Sequence, residues 1–182
     1  MLHLLQPQTV SESAQAQRLL TVVRHAKSDW SNDLADSLRP LNSRGLRNAP
    51  AVAAWFAKQH PEPDWWVSSP ALRAYHTAFA FRRAYHPTPD DGLQLDSRLY
   101  EADTLNWLQV LGSIPADKQH AIAFGHNPGI AHLLNYLCPS ELREVVTCTV
   151  LVMALHIPDW SAISPDCGRL LTYASPETLG VR

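Results

Sequence analysis

The sequence predicts an α/β fold with a mainly parallel sheet covered by helices on both faces. Three observations predict it. From Arg18 onward, short apolar and β-branched runs alternate with segments of helical periodicity. Three of those apolar runs stop abruptly at polar residues, and open α/β sheets bind ligands just beyond the carboxyl ends of their strands. The composition, 46% hydrophobic and 18% charged over 182 residues, suits one globular domain with a substantial core.

The elements follow in order. Residues 1–17 are polar and low in complexity and read as a mobile leader, with Leu4 and Leu5 expected to touch the domain, which runs from 18 to 182. Leu19 to Val23 is a strand. Asn42 is an N-cap opening a helix to Gln59, with Leu46, Ala49, Ala53 and Phe56 on one face; Pro50 is expected to kink or break it. Trp65 to Val67 is a short strand and Pro70 to Arg83 a helix. Leu93 to Leu95 is a short strand, Thr104 to Leu111 a helix, Ala121 to Phe124 a buried strand, and Pro128 to Leu137 a helix. Thr147 to Ile157 and Arg169 to Ala174 are strands with no helix between them, which suits antiparallel pairing. There is no internal repeat and no interdomain linker.

Charge and cysteine usage exclude several classes. A formal net charge of −2 offers no field for nucleic acid or an anionic membrane, so any bound anion depends on local arginines. Cys138, Cys148 and Cys167 form no CxxC and are expected as free thiols in a reducing cytoplasm. The N-terminus lacks the basic and apolar regions of a secretory signal, and no run reaches the length of a membrane span.

The three abrupt strand ends share one grammar. The first strand runs into Arg24 and His25. The second runs into Ser68-Ser69-Pro70, with Arg73 about one turn into the next helix. The third runs into Gly125-His126-Asn127-Pro128-Gly129. In the latter two, Ser or Asn precedes a proline suited to the first helical position, so each helix is expected to aim free N–H groups back at the strand end. Collected at one rim, two arginines and two histidines suggest phosphoryl transfer. Guanidinium forks match phosphate oxygens, a neutral imidazole is a competent nucleophile, and neighbouring positive charge favours its neutral form. The second imidazole hydrogen-bonds the transferring group. No metal or other cofactor is required by this chemistry, because the arginines supply the positive charge.

The residues Arg24-His25-Ala26, with "SSPALRAYHTA" and "GHNPG", resemble the histidine phosphatase superfamily, which includes the phosphoglycerate mutases. Within it, "VVRHAKSDW", "RPLNSRG" and "SSPALRAYHTA" most resemble the SixA group of phosphohistidine phosphatases. The resemblance covers roughly Leu19 to Ala174. It implies a three-layer α/β/α sandwich of phosphoglycerate mutase type, around a six-stranded, mostly parallel mixed sheet with one antiparallel strand. It implies that His25 is the nucleophile and that Arg24, Arg73 and His126 complete the phosphate pocket. Ala26 stands where many relatives carry glycine, a change common in the SixA group.

Other residues carry open alternatives. Arg39 either reaches the phosphate or substrate or serves as an exposed cap or ion-pair partner. Lys27 and Ser28 follow the nucleophile closely enough to line the mouth, and Trp30 either walls it or packs at its rim. Asn127 is expected as a helix cap beside the site. Glu101 is the first candidate for general acid and Asp103 the second, though either position also suits helix capping. His3, His60, His76, His86, His120, His132 and His156 show no metal-ligand spacing, and only His76 has a place near the pocket. The expected function is a metal-independent phosphatase working through a phosphohistidine on His25. It is expected to be monomeric and to act on a phosphorylated substrate, with a phosphohistidine-bearing protein favoured. The alternatives are a phosphomonoesterase for a sugar phosphate or nucleotide, a mutase, for which the chain is short, and a non-catalytic phosphate-binding adaptor.

Overall fold

The computed structural model describes residues 17–31, 33–88, 92–139 and 144–181. The leader assigned to residues 1–17 lies outside them except for Gln17, which already belongs to the first strand. The strands are β1 (Gln17–Arg24), β2 (Trp65–Ser68), β3 (Leu93–Leu95), β4 (His120–Gly125), β5 (Val150–His156) and β6 (Gly168–Ala174). The helices are α1 (Ser43–Gln59), α2 (Leu72–Tyr85), α3 (Thr104–Gly112) and α4 (Gly129–Leu137), with short 3-10 turns at Asp36–Leu38, Ser97–Leu99 and Trp160–Ala162.

The six strands form one sheet in the order β3-β2-β4-β1-β5-β6. β3, β2, β4 and β1 are parallel, β5 runs antiparallel to β1, and β6 runs antiparallel to β5. β5 is therefore the single reversed strand, as the resemblance implied. Alternation along β1 divides the core in two. Leu20 and Val22 face Leu133, Leu134 and Trp107 from α4 and α3. Val23 faces Val52, Phe56 and Phe81 from α1 and α2. β4, at the centre, is buried along its whole length, which is why it reads as a continuous apolar run.

Several local expectations need correction. Pro50 does not break α1, which is assigned as one continuous helix of 17 residues. Leu46 is 59% exposed, and Val52 takes the buried position assigned to it. α2 and α4 begin two and one residues after Pro70 and Pro128, so neither proline is the first helical residue, and Asn127 lies outside the cap. β5 starts three residues late because the chain turns first. Thr149 N–H donates to the Val146 carbonyl (3.1 Å), and Cys148 adopts a left-handed φ of 64°. That turn braces the end of β1, since Cys148 N–H reaches the Arg24 and His25 carbonyls, both at 3.1 Å. All three cysteines are free thiols.

Candidate active site

Sheet register brings the three strand ends together. Arg24 pairs with Gly125 across β1 and β4, and Ser68 with Phe124 across β2 and β4. The ladder runs one residue further, with His25 N–H donating to Gly125 O (3.1 Å) and Ser69 N–H to Phe124 O (2.9 Å). His25, Ser69 and His126 are thus neighbours by backbone geometry. The His25 and His126 rings lie 5.0 Å apart between centroids, tilted by 52°.

The segment after His25 is held on two sides. Ala26, fully buried, donates its N–H to Thr77 Oγ1 (3.0 Å), and Thr77 in turn donates to the Arg73 carbonyl (2.7 Å). Asn42 caps α1 by accepting from Gly45 N–H (2.9 Å), and its own N–H donates to Lys27 O (3.0 Å). Gly45 packs so tightly here that any side chain would collide with the Lys27 carbonyl. Gly129 is equally constrained, by the carbonyl of Ala102 beside Glu101. The Ser28–Leu41 bridge and the Asp29 N–H to Pro40 O bond (2.9 Å) then set Arg39 alongside.

The result is a cleft of about 290 Å³ at the carboxyl rim of the sheet. Arg24, His25, Arg73 and His126 line it, as do Lys27, Ser28, Arg39, Glu101 and Asn127. Every residue assigned to the site from sequence therefore meets there. Two larger clefts lie elsewhere. One, of about 530 Å³, lies between α1 and the C-terminal tail. The other, of about 460 Å³, lies between α1 and α2, and His76 lines that one rather than the cleft at the sheet rim. Neither contains a comparable set of arginines and histidines.

His25 is 8% exposed and its Nδ1 lies 2.8 Å from its own neighbour's carbonyl, Ala26 O. A carbonyl only accepts, so Nδ1 carries the proton and the lone pair lies on Nε2. Burial, with the Arg73, Arg24 and Arg39 charges acting in the same direction, pushes the His25 pKa down to about 4. Burial, then His25 and Arg73, hold His126 down to about 3. Both imidazoles are neutral near pH 7. Four buried nitrogens in the cleft, Arg24 Nε, Arg39 Nη1, Arg73 Nε and His126 Nδ1, have no hydrogen-bond partner among the described residues. The three guanidinium nitrogens among them can only donate, and such a concentration of unanswered donors suits an anion.

Three residues that the sequence reading passed over also belong to the site. Asp36 lines the cleft and accepts from Arg39 Nε (2.9 Å), Arg73 Nη2 (2.8 Å) and the Tyr100 hydroxyl (2.8 Å). Ser69 Oγ lies 2.8 Å from His126 Nε2, and Tyr100 sets its ring edge-on to His126 at 5.7 Å. The signal for Ser69 was present in the "SSP" motif; nothing local marked Asp36 or Tyr100. Trp30, 73% exposed, lines the cleft and stacks on the Arg39 guanidinium at 3.3 Å. Asn127 donates from Nδ2 to Val145 O (2.8 Å), the carbonyl that also accepts from Arg24 Nη1 (2.7 Å). Asp103 caps α3 through Asn106 N–H (2.8 Å), which commits it structurally. Glu101 lines the cleft from a left-handed φ of 49°, a conformation that costs energy for a residue with a Cβ. Among the described residues, no three His, Cys, Asp or Glu side chains gather as a metal site, and no helix is long and apolar enough to cross a membrane.

The low imidazole pKa values carry a testable sign. His25, His126 and His120, the last also pushed down to about 4 by burial, are neutral in the fold but ordinary in the unfolded chain. Stability is therefore present above about pH 6.5 and is lost as pH falls toward 4, because the unfolded state takes up protons first. In NMR titrations the His25 and His126 ring signals are expected to stay unshifted from pH 8 to 5. A midpoint near 6.5 for either ring would show that the pocket is neither desolvated nor cationic.

The comparisons with known proteins identify the family and the fold. A profile of the histidine phosphatase superfamily (branch 1) matches residues 20–129. An uncharacterised protein of Mycobacterium tuberculosis is 28% identical over 167 residues, covering 85% of this chain and 99% of its own. A structure from Nakamurella multipartitia, described as a proposed SixA phosphohistidine phosphatase, superposes with a TM-score of 0.76 at 24% identity, over 88% of this chain and 96% of that one. SixA in complex with tungstate gives 0.75 at 22% identity, over 88% and 99%. A mycobacterial glucosyl-3-phosphoglycerate phosphatase gives 0.64 at 17%, over 86% and 98%.

Proposed function

The chain belongs to the histidine phosphatase superfamily and is a phosphatase, and on that premise we propose that it works through a covalent phosphohistidine on His25 and serves phosphohistidine substrates of the SixA kind. The observation that carries the covalent reading is the Nδ1–H to Ala26 O bond, which leaves the lone pair on Nε2 of a neutral, buried imidazole in an arginine-lined cleft. Nε2 attacks phosphorus, and the bond from phosphorus to the leaving atom breaks with its electron pair departing on that atom. Water then attacks the phosphorus of phospho-His25, the N–P bond returns its pair to Nε2, and orthophosphate leaves. Arg24, Arg39 and Arg73 offset charge on the phosphoryl oxygens, and His126 hydrogen-bonds the same group. Lys27 and Ser28 line the entrance, and Asn127 keeps Arg24 company on the Val145 carbonyl.

One feature supports a phosphoryl group carried by a protein: large apolar side chains are exposed on the cleft-lining segment, Trp30 at 73% in the cleft itself and Leu34 and Leu38 at 46% and 56% on either side of Asp36 in the chain. One feature favours the second reading, a small-molecule phosphomonoesterase: Glu101 lines the cleft, where an alkoxide leaving group needs a proton donor. An imidazole leaving group, once protonated by solvent, departs neutral and needs none.

Glu101→Gln separates the two. On a phosphohistidine peptide the rate is expected to change little. On an alkyl phosphate it is expected to fall about 10²-fold if Glu101 is the acid. Aryl phosphates are expected to fall between. A large loss on phosphohistidine as well would contradict the leaving-group argument. A wild type that turns over alkyl phosphates far faster than phosphohistidine would establish the second reading.

A further inference from the structure

Asp36 places a carboxylate inside a cleft otherwise arranged to receive an anion. It sits in the 3-10 turn that precedes Arg39, and its side chain is 39% exposed whereas those of Arg39 and Arg73 are 7% and 5% exposed. Three elements converge on it. Oδ1 takes Arg39 Nε at 2.9 Å, Oδ2 takes Arg73 Nη2 and the Tyr100 hydroxyl at 2.8 Å each, and the Asp36 carbonyl takes Arg73 Nη1 at 2.6 Å. Both terminal nitrogens of Arg73 are thus fixed by one residue. The buried nitrogens of the pair left without an acceptor among the described residues are Arg73 Nε and Arg39 Nη1.

We infer that Asp36 is a positioning residue for the phosphoryl pocket, its carboxylate and main-chain carbonyl clamping Arg39 and Arg73 at the separation that one bound anion requires. Long guanidinium side chains lose much rotamer freedom when held, and a clamp formed during folding removes that cost from the binding step. It also sets the charge. Arg24, Arg39 and Arg73 against Asp36 leave two net positive charges, the complement of a phosphoryl dianion, while Lys27 and Glu101 at the cleft offset one another. The Tyr100 ring, edge-on to His126, links the same clamp to the second histidine. The inference rests on the phosphoryl-cleft reading and is independent of which phosphorylated compound is the substrate.

The test is Asp36→Asn, which keeps the shape and removes the charge. Inorganic phosphate and vanadate binding are measured directly by calorimetry, beside kcat and KM on an aryl phosphate. A clamp predicts that phosphate binds several-fold more weakly and that kcat falls about tenfold, although a negative charge has left an anion site. Tighter phosphate binding would overturn the inference and make Asp36 a competing internal anion. Unchanged binding and kcat would make it a bystander. A double-mutant cycle adds a readout that general destabilisation would not move. In an Arg73→Lys background, Asp36→Asn is expected to cost little more, whereas additive losses would contradict action through Arg73. If Asp36→Asn fails to fold, Tyr100→Phe removes one donor to the carboxylate and no charge; weaker phosphate binding is expected, and unchanged binding would overturn the clamp. A wild type that binds phosphate yet hydrolyses no phosphohistidine would sink the substrate proposal and leave this one standing.

Discussion

His25→Ala is expected to abolish turnover, lowering kcat by about 10⁴-fold or more while leaving the fold and phosphate binding largely intact. The expectation follows from what the side chain touches. Its Nδ1 donates to Ala26 O, the carbonyl of the adjoining residue, and its ring packs beside that of His126. It lines the cleft at the carboxyl rim of the sheet, so truncating it widens that cleft. Arg24, Arg39 and Arg73 stay in place to bind the anion. The measurement is kcat with a thermal melt and phosphate calorimetry on the same preparation. Brief exposure of the wild type to substrate, followed by alkaline quench, should trap label that is stable to base and labile to acid, as a phosphoramidate is. A variant with near-normal kcat would end the covalent mechanism.

Arg73→Lys is expected to lower kcat/KM by about 10³-fold although the positive charge is retained. Arg73 is 4% exposed, and its two terminal nitrogens grip Asp36 through separate acceptors. Lysine presents one compact ammonium and cannot hold both acceptors and the phosphoryl oxygens in one plane. The substitution also loosens Asp36. Burial alone would raise the pKa of that carboxyl, but the Tyr100 hydroxyl and Arg73 hold it down to about 2. Losing the fork therefore disturbs two groups at once, and the loss should exceed that of removing a single donor. Equal rates for the two proteins would show that Arg73 is structural or lies outside the reaction.

Much of the fold was legible because its signals are local. Apolar and β-branched runs marked β1 and β5, a continuous apolar run marked β4, Asn42 marked the start of α1, and the absence of a helix before β6 marked antiparallel pairing. The misread positions have local causes too. Pro50 lies far enough into α1 that flanking turns and packing on α2 carry the helix past it, and Leu46 sits on the helix flank that the sheet does not reach.

The places of His25, the proposed nucleophile, and of His126, Arg24 and Arg73 were determined by the sequence itself, because each follows or closely trails a strand that must end at one rim of a parallel sheet. That all nine predicted residues meet in one cleft was decided only by register, through pairs such as Arg24 with Gly125 and Ser68 with Phe124. Asp36 and Tyr100 were decided by tertiary structure alone. Sixty-four positions separate them, and an ordinary aspartate in a loop and an ordinary tyrosine after a 3-10 turn carry no periodicity or motif. Their meaning arises when α2 and two short turns close on the same space, where a buried pair of guanidinium groups must find an acceptor.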